Sequence, residues 1–239
     1  MSVRLVAMTQ PIYGTFTDPH HGGKISVTPE DFIAYCARVS NPSNQNNTNT
    51  SAKLLKYCIT NNHWSPFEMI NVVFEINTTR DIARQILRHR SFVFQEFSQR
   101  YADPNQLGFT IREARLQDTK NRQNSIETDD EELRRAWKLK QEQLVHESKM
   151  AYKWAIDNGI AKEQARAVLP EGMTNSRLYM NGTLRSWIHW TELRTDISTQ
   201  KEHREIAEEV KNILILNFSF LREYFDEKTK KSRSTLYAK

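Results

Sequence analysis

The stretch from Arg80 to Tyr101, R-D-I-A-R-Q-I-L-R-H-R-S-F-V-F-Q-E-F-S-Q-R-Y, gathers side chains whose types and spacing can do chemistry. Arg88, His89 and Arg90 are consecutive at the end of a helical pattern, so they fan out in different directions. A solvated charge stripe would space its members three or four apart. Cations at a helix C-terminus offset its dipole by about 0.3–1 kcal/mol each, which accounts for one or two of them. It does not account for Arg84 at i+4 from Arg80 and Arg88 at i+4 from Arg84, where like charges repel. An anion held between them relieves that repulsion. Gln95, Glu96, Ser98, Gln99 and Arg100 follow, offering amide, carboxylate, hydroxyl and guanidinium groups. Such a set suits a nucleotide phosphate and a base edge. Phe92, Phe94 and Phe97 read as anchors of the loop and not as stacking platforms.

The wider charge pattern agrees. From Tyr57 to Thr119 there is no lysine, yet there are seven arginines: Arg80, Arg84, Arg88, Arg90, Arg100, Arg112 and Arg115. Solubility is served by either residue, whereas a planar fork that grips phosphate in two places requires arginine. Glycine is scarce, at 7 of 239 residues, and neither GxGxxG nor GxxxxGK occurs. A pyrophosphate therefore cannot lie in the usual backbone cradle, and arginine side chains are the remaining option. Cys36 and Cys58 form no CxxC and are read as reduced thiols of a cytosolic protein. No metal site is expected. The net charge of +5 is too small to argue for nucleic-acid binding by itself.

These groups must be positioned by a mixed scaffold. Val3 to Met8 alternates as a strand, and residues 9–27 read as a loop or hairpin that includes His20-His21. Thr28-Pro29-Glu30-Asp31 is a helix start, with the helix running to about Ser40. Ser51 caps a second helix to about Asn61. Met69 to Asn77 is a strand, and Thr78 or Thr79 caps a helix that ends near Arg88. Residues 91–106 read as an ordered loop, Phe109 to Leu116 as a short strand and 117–128 as a polar mobile segment. Asp129 to Asp157 is a long helix with an apolar stripe of Leu133, Trp137, Leu144, Ala151 and Trp154. Lys162 to Leu169 is helical up to Pro170. Thr174 to Met180 reads as a strand, Thr183 to Thr195 as a helix and Gln200 to Phe225 as one last long helix. Glu202, Glu205, Glu208 and Glu209 form its solvated face, and His146 and His203 are read as surface residues. The expected fold class is α+β: a single helix-rich domain over residues 1–225 around a small, mainly antiparallel sheet, with 226–239 a basic flexible tail.

Arg88-His89-Arg90, seven further residues and then Ser98 match the RHR-x7-S signature of the flavin-dependent thymidylate synthases, the ThyX family. The chain also resembles this family in Ala37-Arg38-Val39-Ser40, in His63-Trp64-Ser65-Pro66-Phe67-Glu68, in Ala165-Arg166-Ala167-Val168-Leu169-Pro170, and in Leu184-Arg185-Ser186-Trp187 through Leu193-Arg194. The resemblance runs in order from about residue 30 to about 210. Gln95 and Thr183 depart from the commoner pattern.

The resemblance implies a cytoplasmic homotetramer with active sites shared between subunits and no role for nucleic acid or membrane. It implies that dUMP becomes dTMP, with 5,10-methylenetetrahydrofolate as carbon donor and FAD reduced by NADPH as hydride donor. Gln85, Arg88, Glu96, Ser98, Gln99, Arg100, Arg166 and Arg194 would line the dUMP pocket. Ser40, His63, Ser65, Arg88, His89, Arg90, Glu96, Thr183, Arg185 and His189 would contact FAD. Arg194 would lie against the uracil ring as the catalytic group. Without the resemblance His63 reads as a turn histidine. The rival from another class is a single-strand RNA-binding module built on residues 80–101, a segment that nets only +3 and lacks an RNP or KH pattern. A catalytically dead paralogue is the other rival, and the intact motifs count against it.

Overall fold

In the computed structural model, residues 1–12, 16–17, 24–25 and 27–236 are described. The His20-His21 pair lies outside them. β1 (Ser2–Met8), β4 (Asn71–Thr79), β8 (Asn175–Thr183) and β5 (Val93–Glu96) form a small antiparallel sheet in the order β1-β4-β8-β5. Two hairpins accompany it, β2 (Phe16–Thr17) with β3 (Lys24–Ile25) and β6 (Arg115–Gln117) with β7 (Ser125–Glu127). The helices are α1 (Pro29–Ala37), α2 (Ser51–Thr60), α3 (Arg80–Ile86), α4 (Glu131–Asp157), α5 (Lys162–Ala165), α6 (Leu184–Arg194), α7 (Lys201–Asn217) and α8 (Phe220–Leu236). The chain divides into two compact units. One comprises Met1–Arg4, Glu75–Met180 and Asp196–Ile206; the other comprises Leu5–Phe74, Asn181–Thr195 and Ala207–Lys239.

In the second unit, α1 starts as its sequence dictates. The Thr28 side chain accepts from the Asp31 N–H, Asp31 accepts from the Thr28 N–H, and Pro29 holds the first helical position. Ser51 does not cap α2. Thr50 holds that position, and Ser51 Oγ instead donates to Asp31 Oδ1 at 2.7 Å, tying α2 to the start of α1. Trp187 and Trp190 of α6 are buried, and the Trp187 indole N–H donates to the Val72 carbonyl at 2.9 Å. Phe67, Phe74, Phe218 and Leu221 complete this core.

The single last helix expected over 200–225 is two helices. A continuous helix turns Phe218 and Phe220 about 200° apart, onto opposite faces. The break lets both enter the core, with ring centroids 6.2 Å apart. Glu30 of α1 accepts from the Ser219 N–H at 2.7 Å and from Ser219 Oγ at 3.0 Å, which fixes the start of α8. α8 then continues to Leu236, through positions read from sequence as a tail.

In the first unit, residues 91–106 are not wholly a loop, since Val93–Glu96 pairs as β5. Phe109 makes only an isolated bridge to Thr174, and the strand lies later, at Arg115–Gln117. The segment read as mobile, 117–128, is the β6–β7 hairpin, whose turn is closed by Asp118 Oδ1 accepting from the Lys120 and Asn121 N–H groups. α4 ends where Gly159 takes φ +76° and the Ile160 N–H donates to the Ala155 carbonyl. Its buried face is Gln141, Val145, Ser148, Tyr152 and Ala155. The apolar stripe read from sequence faces outward instead: Leu144 is 51% exposed and Trp154 63%.

Candidate functional site

The arginine-rich segment sits in the first unit. α3 carries Arg80 and Arg84, ends at Ile86, and is followed by the turn that bears Arg88, His89 and Arg90. Arg80 is buried, and its Nη1 lies 3.5 Å from Glu96 Oε1, which also accepts from Ser176 Oγ at 2.8 Å. Glu96 thus pins β5 between α3 and β8. Burial lowers the Arg80 pKa; Glu96 opposes this, and the charges of Arg84 and Arg166 lower it further. Arg84 pairs with Glu171 at 3.1 Å. The repulsion along the Arg80–Arg84 face is therefore offset by these two carboxylates and needs no bound anion. Arg88 lies beyond the helix end, exposed, and like Arg90 it has no ion pair among the described residues. Phe92 is buried and packs edge-on to His89 at 6.4 Å, as an anchor should.

Ser98 begins a tight turn. Its carbonyl accepts from the Tyr101 and Ala102 N–H groups, which aims Ser98 and Arg100 outward and Gln99 inward. Gln99 is 4% exposed, and its Nε2 has no acceptor among the described residues. A buried donor left unpaired costs about 1–3 kcal/mol. Ser98, Arg100 and Tyr101 line a cavity of about 420 Å³ with Ala161, Lys162 and Glu163. That volume lies within the range of small-ligand sites. Arg100 Nη2 lies 3.4 Å from Glu163 Oε2, and Arg166 Nε donates to the Glu163 carbonyl at 3.3 Å. Ser98, Arg100 and Arg166 are thereby grouped about α5.

Gln85 faces another way. Its Nε2 donates to Gln200 Oε1 at 2.7 Å, and its Oε1 lies 3.3 Å from His203 Nδ1. His203 is fully buried, not a surface residue, and Glu202 is 7% exposed, not part of a solvated face. Glu202 Oε1 pairs with Arg115 Nη2 and, at 3.0 Å, with Arg112 Nη1. Arg112 Nη2 also donates to both Asp81 oxygens and to Thr79 Oγ1. Burial pushes the Glu202 carboxyl up, but a backbone hydrogen bond, Arg112, Gln200 and Arg115 outweigh it and hold the group below the usual carboxylate range. These charges line a second cavity of about 430 Å³ with Trp137, Leu144 and Met173. Its arginines are already neutralised by Asp81 and Glu202, so it reads as a structural centre. Sequence reasoning missed Gln200, Glu202 and His203, because spacing alone cannot tell a charged helix face turned inward from one in water.

The other predicted residues lie in the second unit. Ser40 is exposed beyond α1, where Arg38 is buried and donates to Thr50 Oγ1 at 2.7 Å and to the Asn47 carbonyl. His63 is exposed beside Tyr57, at a ring distance of 6.0 Å, after Asn62 at φ +59°. Its N–H donates to the Cys58 carbonyl at 2.8 Å, so the turn reading describes its local structure. Ser65 opens a short 3₁₀ turn, Ser65–Glu68, whose Glu68 pairs with Arg185 of α6. Thr183 is the N-cap of α6 and accepts from the Ser186 N–H.

His189, one turn beyond Arg185, packs edge-on against Trp64 at 4.3 Å. Partial desolvation lowers its pKa; Glu192 opposes this, and Arg185 and Lys228 add to the lowering. The ring is thus neutral at pH 7. Trp64, His189, Glu192, Tyr224 and Lys228 contribute to a cavity of about 390 Å³. Arg194 ends α6, half-buried.

No His, Cys, Asp and Glu cluster suited to a metal ion occurs among the described residues, and no described helix is long and apolar enough to cross a membrane. The family model for thymidylate synthase complementing protein matches residues 25–217. The chain is 48% identical over 218 residues to a flavin-dependent thymidylate synthase of a Synechocystis species, covering 91% of this chain and 96% of that one. It is 46% identical over 226 residues to a probable flavin-dependent thymidylate synthase of Paramecium bursaria Chlorella virus 1, covering 95% and 99%. Among solved structures it resembles a UMP/dUMP methylase PolB from Streptomyces cacaoi bound with 5-Br dUMP. That match has a TM-score of 0.73 at 23% identity and covers 95% of this chain and 94% of the other, a likeness of fold.

Proposed function

The chain belongs to the flavin-dependent thymidylate synthase family, and from that premise we propose how its own residues carry out the reductive methylation of dUMP to dTMP. The carbon donor is 5,10-methylenetetrahydrofolate. Bound FAD, once reduced by NADPH, supplies the hydride. The observation that carries the assignment of residues is the cavity at Ser98 and Arg100, with Arg166 hooked to the Glu163 carbonyl beside it. The cavity is lined by the Ser98 hydroxyl and the Arg100 guanidinium, and Arg166 is tied to Glu163, another of its lining residues. Arg100 and Arg166 hold the phosphate of dUMP, and Ser98 donates to it. Gln99 Nε2, buried without an acceptor among the described residues, meets an oxygen of the bound nucleotide or of a second subunit. Gln85, Arg88 and Glu96 lie outside the lining of that cavity and are assigned to the dUMP pocket on the family resemblance, Gln85 through the N–H and lone pair left open by its bonds to Gln200 and His203.

The donor set also fits FAD. Arg88 and Arg90 are exposed and carry no ion pair among the described residues, so their charge is available to a pyrophosphate. Ser40, His63, Ser65, His89, Glu96, Thr183, Arg185 and His189 would hold the rest. His189, neutral at pH 7, donates or accepts a hydrogen bond without adding charge.

The protein activates uracil electrostatically. C5 of the ring is a weak nucleophile that gains electron density when negative charge on the ring carbonyls is stabilised. A guanidinium held beside the ring does this more strongly in the transition state than in the ground state. Arg194 is that group. No cysteine nucleophile takes part: burial pushes the Cys36 and Cys58 thiols up, away from the reactive thiolate form. Ser98 has no histidine partner among the described residues and acts as a ligand, not a nucleophile.

The outward apolar stripe of α4, with Leu133, Trp137, Leu144 and Trp154, supports a homotetramer in which subunits cover it and share active sites. We place the enzyme in the cytoplasm, in keeping with its two free thiols. Arg194→Ala should keep FAD yet lose about 10²–10³ in turnover at saturating dUMP, read as dTMP formed per bound flavin. Near-normal turnover in that variant refutes the role.

A further inference from the structure

We propose that Gln200 and His203 are positioning residues for Gln85, forming a one-directional hydrogen-bond chain that starts at the buried Glu202 carboxylate and fixes which end of the Gln85 amide points each way. The inference rests on the reading that Gln85 lines the dUMP pocket.

The direction follows from what each group can do. An ionised carboxylate only accepts, and Glu202, held below the usual carboxylate range between Arg112 and Arg115, is ionised at neutral pH. Gln200 must therefore turn its NH₂ toward it, and Gln200 Nε2 lies 2.9 Å from Glu202 Oε2. That leaves Gln200 Oε1 pointing the other way, where it accepts from Gln85 Nε2 at 2.7 Å. Gln85 Oε1 is then directed at His203 Nδ1, 3.3 Å away. An amide oxygen cannot donate, so Nδ1 carries the proton.

Reversing the chain would place Gln200 Oε1 against the Glu202 carboxylate, oxygen to oxygen, in a buried setting where unpaired polar groups are costly. One charge thus sets two amide orientations and a histidine tautomer. Gln85 keeps one further N–H and one further lone pair, each at a set place, so a nucleotide meets a donor and an acceptor in fixed order. Rigid support of this kind is what a binding side chain requires to act without reorganising.

The test uses the FAD-loaded enzyme and dUMP, reading the dUMP Kd by calorimetry, KM and kcat by dTMP formation, and flavin content by absorbance. Asparagine at position 203 can present its Nδ2–H near the site of the histidine Nδ1–H, and leucine cannot. His203→Leu should raise the dUMP Kd and KM by about 5–10-fold, the scale of one lost hydrogen bond, with kcat changed by less than about twofold and flavin retained. His203→Asn should stay within about twofold of wild type. Gln200→Leu, which cuts the chain on the other side of Gln85, should weaken dUMP as His203→Leu does, and it serves as the deciding variant if His203→Leu fails to fold.

In a Gln85→Leu background neither substitution should weaken dUMP further. If Gln85→Leu itself leaves the dUMP Kd unchanged, the reading of Gln85 as a pocket residue fails. If Gln85→Leu weakens dUMP while His203→Leu and Gln200→Leu do not, or if His203→Asn is impaired as much as His203→Leu, the positioning proposal is overturned and the pocket reading stands.

Discussion

Replacing Glu202 by leucine should destabilise the first unit more than any surface substitution. The carboxylate is 7% exposed and neutralises Arg112 and Arg115, both themselves largely buried. Arg112 retains Asp81 as a partner, whereas among the described residues Arg115 keeps only the ion pair with Glu113, at 3.5 Å. Removing one partner of a buried ion pair costs about 3–5 kcal/mol, because an uncompensated charge remains. For a chain of this length each kcal/mol shifts Tm by about 2–4 °C, so Glu202→Leu should lower Tm by roughly 6–20 °C. The assay is thermal unfolding of flavin-free protein at fixed concentration, since FAD and subunit association both add to apparent stability.

The pH dependence has a definite sign. The folded pKa of Glu202 lies below its unfolded value of about 4.3. Its contribution is therefore full above that value and is lost as pH falls through the lower folded value. The gap between wild type and Glu202→Leu should narrow below about pH 4. A cost under about 1 kcal/mol at pH 7, or a gap that widens in acid, refutes the view of Glu202 as the ionised centre of this network.

Two other perturbations are as specific. Glu30→Ala removes the acceptor that fixes Ser219 at the start of α8. It should cost about 1 kcal/mol, as loss of a helix cap does, measured by urea unfolding; an unchanged midpoint contradicts it. Glu163→Gln releases Arg100 from its 3.4 Å ion pair and should lower the dUMP KM by about 2–5-fold at low salt, the scale of an exposed pair, with the gain shrinking as salt rises. A raised KM contradicts the assignment of Arg100 to the phosphate.

Local signals were the most legible part of the fold. Thr28-Pro29-Glu30-Asp31 specifies the start of α1 because capping, ring geometry and dipole all act within four residues. The β-branched run in β4 and the pattern of α6 also read directly. What escaped was whatever depends on a distant partner. The stripe on α4 marks an amphipathic helix, but hydrophobicity cannot say that Gln141, Val145 and Ser148 would be buried while Leu144 and Trp154 face out. The break between α7 and α8 depends on Glu30, 189 residues away. Glu202 and His203 look like solvent residues until Arg112, Arg115 and Gln85 are seen against them.

For the site, consecutive Arg88-His89-Arg90 and the cluster from Gln95 to Arg100 pointed to an anion-binding segment, and Ser98 and Arg100 do share a cavity. The repulsion argument for a bound anion was misplaced. Glu96 and Glu171 already offset Arg80 and Arg84, and Arg88 lies past the helix end.

The visible absorption spectrum of the purified protein, recorded anaerobically with dUMP before and after NADPH, tests the central claim most directly. The account predicts a two-banded yellow flavin spectrum that bleaches on reduction and is restored when 5,10-methylenetetrahydrofolate is added and dTMP forms. A colourless protein that also fails to take up added FAD would contradict it.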